Sequence, residues 1–185
     1  MSDVFISFIH EEKGYAEAVK EFLTRIFESN VTPFMSSDQF QVYAGENWLE
    51  RIMGELKTAK VVILMVSRRS VSRPWVNFEA GAVWMKGIPI IPVCYGRLSV
   101  DDLPKPYSSL QAVNLDVYGD DEYFARSVAH HLGIEEPMTH VEALLLSFGD
   151  DEYKKKCKIV EAAYTGLQNE LFDLNEKMKE SSESP

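Results

Sequence analysis

The sequence predicts an α/β domain in which a five-stranded parallel sheet lies between two layers of helices. Short runs of β-branched residues alternate with longer segments in which apolar side chains recur every three or four residues. The most apolar run, residues 60–67, lies in the middle of this alternation and predicts a buried central strand. At 185 residues, 45% of them hydrophobic, the chain is long enough for one such domain and an extension.

The strands and helices of this fold can be placed along the chain. Runs rich in β-branched or aromatic residues predict strands at 3–9, 31–35, 60–67, 88–94 and 112–115. Apolar residues at helical spacing predict helices at 13–28, 48–56, 74–86 and 120–132. The tripeptide Ser72-Arg73-Pro74 supplies an N-cap candidate and a first-turn proline for the third helix, which Gly87 ends. The segment 97–109 contains two prolines and is predicted to be a loop.

The C-terminal part of the chain has a different pattern. Its apolar residues follow one another at alternating four- and three-residue steps: Tyr153, Cys157, Val160, Tyr164, Leu167, Leu171, Leu174 and Met178. This heptad seam predicts a long helix over 151–179, which packs on the α/β domain or pairs with another chain. The sequence therefore predicts a domain at 1–134 and a helical extension at 135–185 that ends in a disordered tail.

Composition excludes several classes of function. The net charge of -10 and the absence of a basic stripe disfavour nucleic-acid binding. Cys94 and Cys157 lie in apolar patterns and are predicted to be packing residues rather than a disulfide or metal ligands. No metal site is expected, because the histidines lack ligand spacing with carboxylates or cysteines. With no leader sequence and no apolar run of about 20 residues, the expected location is the cytoplasm, away from the membrane.

The predicted topology locates a site. In a flavodoxin-like sheet of order 2-1-3-4-5, ligands bind at the carboxyl ends of strands one and three. The loops expected there are 9–11, 36–45 and 67–74. The third helix begins beside them, and its four-residue spacing places Trp75 and Glu79 on one face. A carboxylate and an indole are therefore expected to share one wall of the crevice, although a glutamate in a first helical turn is most often a surface residue.

The sequence lacks the residues that two other functional classes with this fold require. A phosphoacceptor receiver domain needs an acidic pair after the first strand and an aspartate after the third, but Ile9-His10 and Ser67 stand there. A flavin or dinucleotide domain needs a glycine-rich or hydroxyl-rich phosphate loop after the first strand, and none is present. The sequence therefore argues against a receiver domain and against a flavin or dinucleotide-binding domain.

Several motifs in order resemble the TIR (Toll/interleukin-1 receptor) family, in particular its stand-alone bacterial members. They are Asp3-Val4-Phe5-Ile6-Ser7-Phe8, Ala44-Gly45-Glu46-Asn47-Trp48, Val66-Ser67, Ser70-x-Ser72-x-x-Trp75-x-x-x-Glu79 and Gly87-Ile88-Pro89-Ile90-Ile91-Pro92-Val93. The resemblance covers residues 3–133. Each motif alone is weak, but their shared order on the expected elements makes chance similarity a poor explanation.

The resemblance implies an enzyme that cleaves the nicotinamide glycosidic bond of NAD+, giving nicotinamide and ADP-ribose or a cyclic isomer, with no further cofactor. Glu79 matches the catalytic glutamate of the family's enzymes. One carboxylate suffices, because the bond breaks through an oxocarbenium-like state and nicotinamide leaves as a neutral group. The residues implied to contact NAD+ are Ile9, His10, Ser36, Trp48, Ser67 and Trp75. For the two tryptophans, core packing remains an alternative to ligand stacking.

The same resemblance identifies residues 36–45 as the family's BB loop, which is expected to cover the nicotinamide side and to mediate self-association. The 151–179 helix is a second candidate for self-association. His10, Ser36 and the longer BB loop depart from the usual pattern and leave the product type open. The expected role is antiviral defence or stress signalling. Two alternatives remain: a non-enzymatic signalling and self-association module, and an enzyme acting on another nucleotide.

Overall fold

The structure of the protein is a computed structural model that describes residues 2–28, 30–36, 48–117 and 119–137. The predicted 151–179 helix, the predicted disordered tail, residues 37–45 of the BB loop and the side chain of Trp48 lie outside this part of the chain. Among the described residues, no helix is both long and apolar enough to span a bilayer.

The sheet has five parallel strands in the order β2-β1-β3-β4-β5. The strands are β1 Val4–Ser7, β2 Pro33–Met35, β3 Val61–Val66, β4 Ile90–Cys94 and β5 Val113–Asn114. β3 pairs with β1 on one side and β4 on the other, and all six of its residues are 0% exposed. Strands covered on both faces are apolar throughout, which is why this run is the strongest in the sequence. The predicted fold class and strand order are confirmed.

In the described part of the chain, four α-helices cover the two faces of the sheet. They are α1 Lys13–Ile26, α2 Trp48–Thr58, α3 Pro74–Met85 and α4 Asp120–Leu132. Because successive strand side chains point to opposite faces, Ile6 and Ile63 pack with α1 and α4, whereas Phe5 and Val62 pack with α2 and α3. The result is the predicted three-layer arrangement.

The element ends differ from the sequence prediction in ways that have local causes. β1 ends at Ser7 rather than at residue 9, since pairing with β3 ends at Ser7. Phe8 and Ile9 remain buried after the chain leaves the sheet, so their apolar character extended the predicted strand. The N-cap of α3 is Arg73, and its side chain makes no capping bond. The predicted loop 97–109 contains two short 3₁₀ helices, Val100–Asp102 and Tyr107–Ser109.

Candidate active site

The strand order places a crevice at the carboxyl ends of β1 and β3, where successive connections leave the sheet in opposite directions. Three serines lie at the strand ends that border it. Ser7 ends β1, Ser36 follows β2, and Ser67 follows β3. All three are buried, at 0%, 1% and 5% exposure. Buried hydroxyl groups need hydrogen-bond partners, and these serines find them in two buried carboxylates.

The first of these carboxylates is Glu79, which is 0% exposed. It lies in the second turn of α3, and the Trp75 indole one turn earlier donates its Nε1–H to Glu79 Oε1 at 2.7 Å. The Ser7 hydroxyl donates to the other oxygen, Oε2. The predicted juxtaposition of Trp75 and Glu79 is confirmed, and of the two alternatives for Glu79, an enclosed or a surface side chain, the structure shows the enclosed one. Its two oxygens are held by two different elements, α3 and β1.

Burial changes the acidity of Glu79. Removal from water raises the pKa of this carboxyl from 4.5 to about 7, because the charged form loses its hydration. Hydrogen bonds from Ser7, Trp75 and Ser36 oppose the rise by stabilising the carboxylate. Glu79 therefore holds its proton to a higher pH than an exposed glutamate does.

The second buried carboxylate is Glu12, at the end of the 3₁₀ helix His10–Glu12 that links β1 to α1. Ser67 donates its hydroxyl to Glu12 Oε1 at 2.7 Å, and the Tyr95 hydroxyl donates to Oε2. Burial and the nearby Glu12 raise the pKa of Tyr95, so it stays a donor. Glu12 thus ties together the segments that follow β1, β3 and β4 beside the crevice.

The structure describes the side chains of all the predicted NAD-contacting residues except Trp48. Ile9 is buried against α3 residues such as Ala80. His10 is exposed in the 3₁₀ helix. Ser36 and Trp75 are partners of Glu79, whereas the Ser67 hydroxyl bonds Glu12 instead. Ser7 is a further site residue that the sequence patterns do not predict, although a lone hydroxyl at the end of an apolar strand is a signal for it.

The sequence patterns also do not predict Glu12 and Tyr95 as residues of the site. Glu12 is one of two adjacent glutamates before an amphipathic helix, and nothing in that pattern distinguishes the buried one, Glu12, from its exposed neighbour. Tyr95 lies 83 positions later in the chain. Only the three-dimensional arrangement brings the two together.

No group of three or more potential metal ligands occurs among the described residues. Cys94 is a free thiol in the core, and burial raises its pKa to about 12, so it remains protonated near neutral pH. Its placement agrees with the predicted packing role. The described site therefore offers carboxylate and hydroxyl chemistry.

A large cleft lies elsewhere on the domain. It has a volume of about 550 Å³ and is lined by the beginnings of β4 and β5 and by α4, including Ile91, Val113 and His130. None of its lining residues is a partner of Glu79 or Glu12. We assign the site from the topological crevice and the buried carboxylate rather than from cleft volume, because chemistry requires a reactive group.

A family model described as the TIR domain matches residues 4–132, more than half of the chain. The chain belongs to the TIR domain family. The predicted membership of the TIR domain family is thereby confirmed. A comparison with curated proteins finds no match.

Solved structures similar to this TIR domain include the metazoan TIR-STING receptor from C. gigas in complex with 2',3'-cGAMP. It has a TM-score of 0.52 and 22% identity, and the match covers 71% of this chain and 39% of that one. A second structure of the C. gigas receptor has a TM-score of 0.49 and 21% identity, over 72% and 40% of the two chains. The likeness shows the shared fold, and this chain spans about two fifths of the receptor's length.

The TIR domains of the activated Roq1 resistosome, which directly recognises the pathogen effector XopQ, also match this chain. Their TM-score is 0.43 and their identity 18%, over 59% of this chain and 68% of that one.

Proposed function

We propose that this TIR domain cleaves the nicotinamide glycosidic bond of NAD+, with Glu79 as the catalytic carboxylate. The observation that carries the proposal is the complete burial of Glu79 beside the crevice, with Ser7 and Trp75 holding its two oxygens. A strongly perturbed carboxyl in such a place is typical of functional sites. The family includes members that cleave NAD+.

The chemistry of this reaction suits a single carboxylate. The bond between ribose C1′ and the nicotinamide nitrogen breaks, and its electron pair returns to the nitrogen, so nicotinamide leaves neutral. The positive charge that develops on the ribose is stabilised by ionised Glu79. Water then attacks C1′ and loses a proton to give ADP-ribose, or an adenine nitrogen attacks and gives a cyclic isomer.

Fixing the carboxylate is part of this proposal. Trp75 and Ser7 hold it in one orientation before substrate arrives, so less reorganisation is required when charge develops on the ribose. Ser36 contributes a third hydrogen bond. These three groups are the proposed positioning residues for Glu79, and the family resemblance also implies that Trp75 contacts the ligand.

We infer a stand-alone, cytoplasmic enzyme of bacterial type that acts in antiviral defence or stress signalling. Self-association through the 36–45 loop and the 151–179 helix belongs to the same proposal and rests on the family resemblance and the heptad pattern.

A non-enzymatic interaction module is the second candidate. The observation that favours it lies on α3, where three large apolar side chains face solvent. Phe78, Trp84 and Met85 are 49%, 47% and 86% exposed. Exposed large apolar side chains often mark protein interfaces, and a self-association module requires such an interface.

Product analysis distinguishes the two candidates. The purified full chain at high concentration is incubated with NAD+, and the products are separated by mass. We expect nicotinamide together with ADP-ribose or a cyclic isomer. Self-association without any nicotinamide release would favour the interaction module, and a parallel panel of other nucleotides would detect an enzyme with a different substrate.

A further inference from the structure

Two arginines and a glutamate form an exposed cluster beside the crevice. Arg73 Nη2 lies 3.0 Å and Arg69 Nη2 3.6 Å from the same oxygen, Glu11 Oε1. The arginines belong to the segment between β3 and α3, and Glu11 belongs to the segment after β1. The cluster therefore joins the two connections that flank the crevice between β1 and β3.

The local charge is opposite to that of the whole chain. The net charge is -10, yet the segment 67–73 contains Arg68, Arg69 and Arg73 and no carboxylate. Arg68 pairs with Asp102 on a separate segment, at 4.0 Å. Exposed ion pairs contribute little to folding stability. A concentration of guanidinium groups here is better explained by an anion that binds at this point.

The backbone that carries the arginines is fixed. Ser67 Oγ accepts hydrogen bonds from the backbone N–H groups of Arg69 and Ser70, both at 3.1 Å. The same hydroxyl donates to buried Glu12, the neighbour of Glu11 in sequence. The arginine segment and the glutamate segment are therefore held together beneath the surface cluster, as a preformed binding site requires.

Glu11 is a carboxylate anion at neutral pH. A backbone hydrogen bond, followed by the charges of Arg73 and Arg69, holds the pKa of Glu11 below its usual value. Its Oε1 lies within 4 Å of both guanidinium groups. A diphosphate has more charge and more acceptor oxygens than one carboxylate, and arginine binds phosphate groups with paired hydrogen bonds.

We propose that Arg69 and Arg73 form the subsite for the diphosphate of the dinucleotide, and that Glu11 occupies this subsite until the ligand replaces it. The assignment of the ligand rests on the proposed NAD+ cleavage. Arg73 is the N-cap of α3 and Glu79 lies in the second turn, so both groups belong to the end of α3 that begins beside the crevice. In this proposal one dinucleotide contacts both groups.

Binding of ADP, measured by calorimetry with the full chain, tests this subsite apart from catalysis. Arg69→Gln and Arg73→Gln are each expected to weaken ADP binding about tenfold, the effect of losing a charged hydrogen bond. Glu11→Gln is expected to strengthen it, because the competing carboxylate is removed. A misfolded variant would not bind more tightly, so this opposite change separates the subsite from loss of structure.

Arg126→Gln is the matched control. Arg126 is an exposed arginine on α4 that pairs with Glu136 at 3.3 Å and lines the separate cleft of about 550 Å³. The Arg126→Gln variant loses the same charge as the two other variants, and its affinity for ADP should equal that of the wild type. Absence of ADP binding, or equal affinity in Arg73→Gln and Arg126→Gln, would overturn the subsite.

ADP binding and NAD+ cleavage test the proposed subsite and the proposed activity separately. Arginine-dependent ADP binding without NAD+ cleavage would support the subsite and reject the proposed activity. NAD+ cleavage whose KM is the same in Arg69→Gln, Arg73→Gln and the wild type would support the activity and reject the subsite. If both hold, the arginine variants raise KM more than they lower kcat.

Discussion

Glu79→Gln is expected to lower kcat for NAD+ cleavage by about 10³-fold, the loss that follows removal of one electrostatic group from a transition state. Glutamine keeps the size of the side chain and an oxygen that can accept from Trp75, so the packing of α3 should survive. It cannot supply the negative charge that stabilises the ribose cation. Steady-state release of nicotinamide by the two proteins at equal concentration measures the effect.

Glu55→Gln provides the matched control for this prediction. Glu55 is a partly buried glutamate that also accepts a serine hydroxyl, from Ser2 at 2.6 Å, but it lies on α2 and does not contact Glu79. The control should retain wild-type kcat. Equal activity of Glu79→Gln and Glu55→Gln would remove Glu79 from the catalytic role and leave the interaction module as the better explanation.

The second large effect concerns folding stability and pH. The pKa of Glu79 is about 7 in the folded protein and 4.5 in the reference state, so the folded chain holds this proton more tightly than the unfolded chain. The stability that protonated Glu79 contributes is complete below pH 4.5 and is lost as pH rises to about 7. The shift corresponds to about 3 kcal/mol.

Urea unfolding of the wild type and Glu79→Gln at pH 5 and pH 8 measures this contribution. The variant has no titrating group at position 79, so its free energy of unfolding should increase relative to that of the wild type, by up to about 3 kcal/mol, between the two pH values. Other carboxyls titrate in both proteins and cancel in the comparison. A difference between the two proteins that does not change with pH would show that Glu79 has an ordinary pKa.

The sequence predicted the layered fold because local pattern and global architecture agree in this chain. The run Val61–Val66 is apolar throughout because both of its faces are covered, and α1 shows helical spacing because one of its faces packs on the sheet. The predicted position of Trp75 relative to Glu79 follows from helix geometry alone. These features depend on neighbours within a few residues.

The burial and partners of the site residues depend on distant parts of the chain. Ser7 and Glu79 are 72 positions apart, and their contact exists only because β1 lies beside β3 and α3 covers that edge. Glu11 and Glu12 are adjacent and chemically identical, but one faces solvent between arginines and the other is buried beneath Tyr95 and Ser67. No pattern in the sequence predicts the contact between Ser7 and Glu79, or which of the two adjacent glutamates is buried.

The pH dependence of kcat/KM for NAD+ tests the catalytic assignment of Glu79 most directly, because it reports ionisation of the free enzyme. We expect kcat/KM to rise with pH through about 7, where Glu79 ionises. In Ser7→Ala the rise should move to higher pH, since the hydrogen bond from Ser7 lowers the pKa. A rise near the ordinary glutamate value, or one that Ser7→Ala leaves in place, would contradict the assignment of Glu79 as the catalytic carboxylate.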